Sequence, residues 1–216
     1  MAKNTLTRFR LLALLALAAF AFSGCADTVL KSSWTAPGVT KLKFNKMVVI
    51  ALAANRNFNR KMAESAVANQ ITKIKAVPSY ELLPGLDDVK DKATVIKMIQ
   101  DNQFDGVITL RLTATDTRVT YGGSTALPMD YMTFSGYYGS AYDVSAYFLD
   151  DGNRATYQDK IIFLEVNIYD VKTMKLVWSG TTQTIKDAAN PGSVPAAVLE
   201  VGKAVRAKLQ EEQLIN

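Results

Sequence analysis

The sequence predicts an α/β fold: a single mixed sheet, three parallel strands plus an antiparallel hairpin, packed with helices in the order β-α-β-α-β, an insertion, then β-β-α. Three observations carry that expectation. The run Met47-Val48-Val49-Ile50-Ala51-Leu52 is continuous, apolar and rich in branched residues, the composition of a strand buried on both faces. Strand-like and helix-like segments alternate after it, and adjacent parallel strands need a crossover, normally right-handed. Nearer the C-terminus, Ile161 to Tyr169 and Leu176 to Thr184 flank Asp170-Val171-Lys172-Thr173-Met174-Lys175, which reads as a hairpin.

Taken in order, residues 1–10 carry Lys3, Arg8 and Arg10 without an acid, and 11–22 are twelve unbroken apolar positions. That layout is a signal peptide, residues 1–24. A membrane-spanning helix needs roughly 20 apolar residues, and this run stops at Ser23-Gly24-Cys25. Here the chain resembles a bacterial lipoprotein precursor, with Ser23, Gly24 and Cys25 at the positions flanking cleavage and Phe22 where Leu is usual. The resemblance implies a diacylglycerol thioether and an N-acyl chain on Cys25, so the first partner is the lipid bilayer. Each buried methylene adds roughly 0.8 kcal/mol of membrane retention. Ala26, in place of an Asp after the cysteine, points by analogy to the outer membrane and a periplasm-facing domain. The only Cys of the chain is consumed in this way, so no disulfide is expected.

Residues 25–45 read as the lipidated cysteine and a tether ending in a short extended arm around Trp34, and 46–216 as one globular domain. After the central strand, Asn55, Asn57 or Asn59 can cap a helix whose apolar face is Ala63, Ala66, Val67, Ile71 and Ile74. A second strand is expected over Ser79 to Leu83, before Pro84-Gly85, and a helix from about Asp88 to Asn102 with Val95, Ile96 and Ile99 on one face. From Val107 the sequence alternates, with Ile108, Leu110, Leu112 and Ala114 opposite Thr109, Arg111, Thr113 and Thr115. One face buried and one wet is the expectation, with Val48, Ile50, Leu110 and Val166 sharing one core. Ser193 and Pro195 suit the start of a last helix presenting Val198, Val201, Val205 and Leu209.

Composition excludes much chemistry. The 216 residues include no His, and of 25 Lys and Arg against 20 Asp and Glu, three basic residues lie in the signal segment. The remaining 22 and 20 are evenly scattered, which describes a globular chain and not a nucleic-acid binder. Without His or a free thiol, zinc and other transition metals lose their usual ligands. Asp87-Asp88 with Asp91 sits at a helix start and Asp150-Asp151-Gly152-Asn153 has turn composition, without calcium-loop spacing. Asn55-Arg56-Asn57 follows the central strand, where open α/β sheets bind ligands, but lacks phosphate-cradling glycines. No nucleophile elbow is present. No metal, no cofactor and no enzymatic activity are expected.

The unusual segment is 121–157, which holds seven of the nine tyrosines and five glycines. Tyrosine offers large contact area at low side-chain entropy, and long connections inside compact domains are commonly functional. Tyr131, Phe134, Tyr137, Tyr138, Tyr142, Tyr147 and Phe148 form the candidate interaction surface. Alternation around Gly139-Ser140 allows a hairpin, and three readings stay open: a cover over a sheet edge, a binding surface, or a membrane-inserted hairpin of an oligomeric pore. The bracketing strands, Thr113 to Thr120 and Gln158 to Phe163, can pair whatever lies between, so a shortened insertion is expected to fold.

Several pieces together are similar to a family of uncharacterised bacterial lipoproteins: Ser32-Ser33-Trp34, Phe44-Asn45-Lys46-Met47-Val48-Val49, Val77-Pro78-Ser79-Tyr80, Phe104-Asp105-Gly106-Val107, and Ile168-Tyr169-Asp170 through Leu176-Val177-Trp178-Ser179-Gly180. The last piece also resembles a hairpin in the curli secretion lipoprotein, the amino-terminal domain of the Tol-system propeller protein, and the lipoprotein activator of peptidoglycan synthesis. Met174 stands where those hairpins usually have Gly. The resemblance implies a non-catalytic, lipid-anchored module that binds an envelope protein or self-associates. A peptidoglycan- or carbohydrate-binding module and a secretion-type pore subunit are the alternatives.

Overall fold

The computed structural model describes residues 27–52, 60–115, 133–138, 160–186 and 193–216. Among them, six strands form one mixed sheet: β1 (Asp27–Thr35), β2 (Lys46–Leu52), β3 (Lys75–Pro78), β4 (Gly106–Thr115), β5 (Lys160–Asp170) and β6 (Lys175–Lys186). Their spatial order is β1-β6-β5-β4-β2-β3. β2 pairs in parallel with β3 and β4, while β4, β5, β6 and β1 pair antiparallel in succession. The α/β class and the mixed sheet are as the sequence predicts. The helices are α1 (Arg60–Gln70), α2 (Leu86–Lys90), α3 (Lys92–Asp101) and α4 (Ser193–Glu211).

Helices cover both faces of the sheet. On one face Met47, Val49 and Ala51 of β2, Ile108 and Leu110 of β4 and Val166 and Ile168 of β5 meet Ala63 and Val67 of α1 and Val201, Val205 and Leu209 of α4. An added Cβ on Gly202 would stand 3.0 Å from the Ala66 carbonyl oxygen, so α1 and α4 approach closely enough there that a side chain would crowd the α1 backbone. On the opposite face Val48, Ile50 and Leu52 meet Val89 of α2 and Val95, Met98 and Ile99 of α3. The two crossovers explain this arrangement. β2 runs through α1 to β3 on one side of it, and β3 returns across β2 to β4, so right-handed connections put their helices on opposite faces.

The expectation of a single core is therefore corrected. Ile50 pairs with Thr109 and Ala51 with Leu110, and since successive side chains point to opposite faces, Val48 and Ile50 belong to one core and Leu110 and Val166 to the other. Thr109 and Arg111 are not on a wet face either, being 0% and 4% exposed.

Four local features differ from the sequence expectation. The arm around Trp34 is an edge strand, β1, paired with β6 from Asp27↔Ile185 to Thr35↔Trp178. A bulge between Leu30 and Ser32 breaks its period, which is why it does not read as a strand. The second strand is Lys75–Pro78, wholly before the expected Ser79 to Leu83, because buried Ser79 and the Tyr80 amide are drawn to Glu64 and the chain turns over Ser79–Glu81. The helix expected from about Asp88 to Asn102 is two helices, α2 and α3. Asp91 breaks it by capping α3, accepting from the Ala93 and Thr94 amides at 3.2 and 3.1 Å. Hydrogen bonds from the Thr94 hydroxyl, then from the Thr94 and Ala93 amides, hold the Asp91 carboxyl below its ordinary value. The helix α1 ends at Gln70, though Ile71 and Ile74 still pack into the first core.

Candidate functional site

The described part of the tyrosine-rich segment is one helical turn, residues 134–138, and not a strand of a hairpin. Phe134, Tyr137 and Tyr138 recur at helical spacing and fall on one face. That face points inward, with the three rings at most 1% exposed. The turn is stitched to the β5–β6 hairpin: Thr133 bridges to Lys175, and the Phe134 amide donates to the Met174 carbonyl at 3.1 Å. Phe134 lies 5.2 Å from Tyr138 and 5.5 Å edge-on to Tyr169, between ring centroids, and the Tyr138 hydroxyl donates to the Val89 carbonyl. These three residues are thus core of the second face, not surface. Tyr131, Tyr142, Tyr147 and Phe148 lie outside the described residues, as do Cys25, Asn55, Asn57 and Asn59.

Met174 adopts φ +55°, a left-handed backbone that glycine would adopt without strain. The strain of about 1 kcal/mol is set against side-chain packing in the second core, which glycine would forgo.

Beneath Tyr137 lies a buried polar group. Arg111 of β4 donates to Glu165 Oε2 of β5 from Nη2 at 2.5 Å and Nε at 3.2 Å, and Asn167 Nδ2 donates to Glu165 Oε1. The strand register opposes Arg111 with Glu165 and Thr109 with Asn167. The Tyr137 ring covers the guanidinium, its centroid 5.4 Å from the guanidinium carbon. Among the described residues, Thr109 Oγ1 and Asn167 Oδ1 have no hydrogen-bond partner. A charged residue within an otherwise apolar strand run is the signal that could have found Arg111 and Glu165.

The crevice at the carboxyl ends of β2 and β3, where the connections leave to opposite faces, is the usual ligand position of an open α/β sheet. Among the described residues, a buried hydrogen-bonded cluster stands there. Glu64, 0% exposed, accepts from Arg60 Nε at 2.8 Å, Ser79 Oγ at 2.8 Å, the Tyr80 amide at 2.8 Å and the Ala51 amide at 3.0 Å. Arg60 in turn donates to the Leu83 carbonyl at 2.8 Å and to Ser79 Oγ at 2.7 Å. Arg60 and Glu64 do not stand out in the sequence; their i, i+4 spacing is the one local signal, and their burial comes from the tertiary structure.

At the other end Glu212, just past α4, holds β1. It accepts from Ser33 Oγ at 2.6 Å, Trp178 Nε1 at 2.9 Å and Thr35 Oγ1 at 3.1 Å. Partial burial opposes its ionisation, yet the bonds from Ser33, Trp178 and Thr35 and the charge of Lys208 outweigh that and hold the carboxyl below its ordinary value. Several residues of the sequence pieces singled out above sit at such junctions. Ser33 binds Glu212, Ser79 and Tyr80 bind Glu64, and Asp105 accepts from the Asn45 and Lys46 amides at 2.8 and 2.9 Å. Those motifs specify the scaffold.

A cavity of about 30 Å³ between α3 and the β5–β6 hairpin is lined by Ile96, Ile99, Phe134, Tyr169 and Met174 among others. That space is of the order of one water molecule and apolar. Among the described residues, no group of three or more acidic, His or Cys side chains could hold a metal, and no helix is long and apolar enough to cross a membrane.

No protein-family model matches the chain, and no curated protein is similar to it. Among solved structures it is similar to the PelC dodecamer from Paraburkholderia phytofirmans, with TM-score 0.45 and 11% identity over 88% of this chain and 99% of that one. It is also similar to lipoprotein GNA1162 from Neisseria meningitidis, with TM-score 0.40 and 13% identity over 77% of this chain and 95% of that one. At these values the likenesses carry no functional argument.

Proposed function

We propose that this chain is a non-catalytic, lipid-anchored domain of the bacterial envelope that docks to, or assembles with, another envelope protein. One observation carries the reading: among the described residues at the sheet end where an open α/β fold would hold a substrate, Arg60, Glu64 and Ser79 are engaged in hydrogen bonds to one another and to backbone. With those side chains committed to structural hydrogen bonds, surface contact is the activity the described residues favour, and Ser23-Gly24-Cys25 is the expected anchor. The names of the structural neighbours, a dodecamer and a lipoprotein, agree with this reading without carrying it. Interior placement of Phe134, Tyr137 and Tyr138 takes three rings away from sugar stacking and disfavours the carbohydrate alternative.

Crosslinking in intact cells, followed by purification from membranes, tests it. A reproducible adduct with one envelope protein, or with a second copy of the chain, is expected. Retention on purified peptidoglycan after salt washing, with no protein adduct, would replace protein docking with wall binding.

A further inference from the structure

The position of β1 changes what the lipid anchor does. A tether running from Cys25 to residue 45 would reach about 70 Å when extended, leaving the domain free to turn and to stand far from the membrane. β1 begins at Asp27 instead, paired with Ile185 of β6. Only Ala26 lies between it and Cys25, a reach of about 7 Å. The strand is held along its length: Thr28 and Thr184 share a hydroxyl hydrogen bond of 2.8 Å, and Ser33 and Thr35 are held by Glu212.

The antiparallel and parallel pairings determine which other strand ends share that end of the sheet. Lys186 ends β6 opposite Lys160, which begins β5, and Thr115 ends β4 opposite Ile162. Leu52 ends β2 in the same direction, since β2 and β4 are parallel. The far end is the turn between β5 and β6, where Lys172 and Thr173 are exposed. From Lys160 to Asp170, β5 alone spans about 34 Å.

We propose that acylated Cys25 seats the domain directly on a phospholipid surface in one orientation, with the sheet end at Asp27, Thr115, Lys160 and Lys186 toward the lipid and the 171–174 turn away from it. This rests on the lipid-anchor reading. Val29, 47% exposed on β1, and exposed Lys31 at its bulge lie on the near side and suit an interface of headgroups and acyl chains. Thr115 and Lys160 bracket the tyrosine-rich connection, so both of its attachment points are at the lipid side. A protein partner approaching from the aqueous compartment meets the 171–174 turn and the ends of α3 and α4.

The test uses the mature acylated protein in vesicles of phosphatidylethanolamine and phosphatidylglycerol. Incorporation of labelled palmitate and flotation with the vesicles are scored first. A fluorophore is placed on Val29→Cys, Lys31→Cys or Lys172→Cys, and a headgroup-attached nitroxide lipid serves as quencher. Quenching at 29 and 31 several-fold stronger than at 172 is expected, and a long Gly/Ser insertion between Ala26 and Asp27 should erase the difference. Equal quenching at the three sites in acylated, vesicle-bound protein would overturn the orientation while leaving the anchor intact. Absence of palmitate and of flotation would overturn both.

Discussion

The contact between Trp178 and Gly180 offers a sharp test of how the first core is built. Trp178 is 0% exposed, and its ring passes so close to Gly180 that an added Cβ would lie 2.3 Å from Cη2 and 3.0 Å from Cζ2 and Cζ3. Carbon atoms rest at about 3.5–4.0 Å, so Gly180→Ala obliges the ring to retreat by more than 1 Å. It has little freedom to do so, because Nε1 donates to Glu212 at 2.9 Å and Glu212 also holds Ser33 and Thr35. Overpacking costs about 1–3 kcal/mol, and losing a hydrogen bond to a charged group about 1.5–3 kcal/mol more. The expected loss is about 3–5 kcal/mol, out of about 5–15 kcal/mol for a whole domain. For a chain of this size that lowers the melting temperature by about 6–20 °C. Thermal unfolding followed by circular dichroism measures it. Trp178→Phe in the Gly180→Ala background removes the clashing edge and should recover part of the loss. If Gly180→Ala melts with the wild type, or the two changes simply add, the packing argument is wrong.

The remaining expectations concern other junctions. Ile50→Asp should leave no cooperative unfolding transition, since Ile50 is 0% exposed and an unpaired buried carboxylate costs several kcal/mol. Arg111→Leu should destabilise by about 3–5 kcal/mol by stranding Glu165, whereas the double change Arg111→Met with Glu165→Leu should be far milder, as denaturant titration would read. Phe134→Ala should cost about 3–5 kcal/mol, and replacing residues 122–156 by a short linker should expose the second core and bring aggregation. This reverses the expectation from sequence that a shortened insertion folds, because three of its rings are core. Glu212 has a folded-state pKa below its unfolded one, so its stabilising contribution is complete above the unfolded value of about 4.3 and is lost as pH falls through the folded value. The stability gap between wild type and Glu212→Gln should therefore be widest near neutrality and close in acid; a gap that widens as pH falls would refute the assignment.

Much of the fold was written locally. The run 47–52 could only be buried on both faces, the turn at Asp170 joins two strands with no room for a crossover, and Val201, Val205 and Leu209 recur at the spacing of one helix face, all as observed. These features depend on period and on turn chemistry, which neighbouring residues settle among themselves. The expectation of an N-terminal signal and a lipidated Cys25 rests likewise on consecutive residues. What the chain does at a distance was not legible. Asp27–Thr35 has no strong alternation and becomes a strand because β6 offers an unpaired edge and Glu212, far along the chain, fastens Ser33 and Thr35. Arg111 reads as solvent-facing until Glu165 neutralises it from the next strand and Tyr137 covers it. Phe134, Tyr137 and Tyr138 read as a surface because aromatic content alone does not say which way a ring points. Their burial was decided by the space left between α2, α3 and the sheet, and by the Met174 carbonyl that receives the Phe134 amide. Charge and aromaticity are one-residue properties, whereas burial belongs to whatever the tertiary structure brings against them.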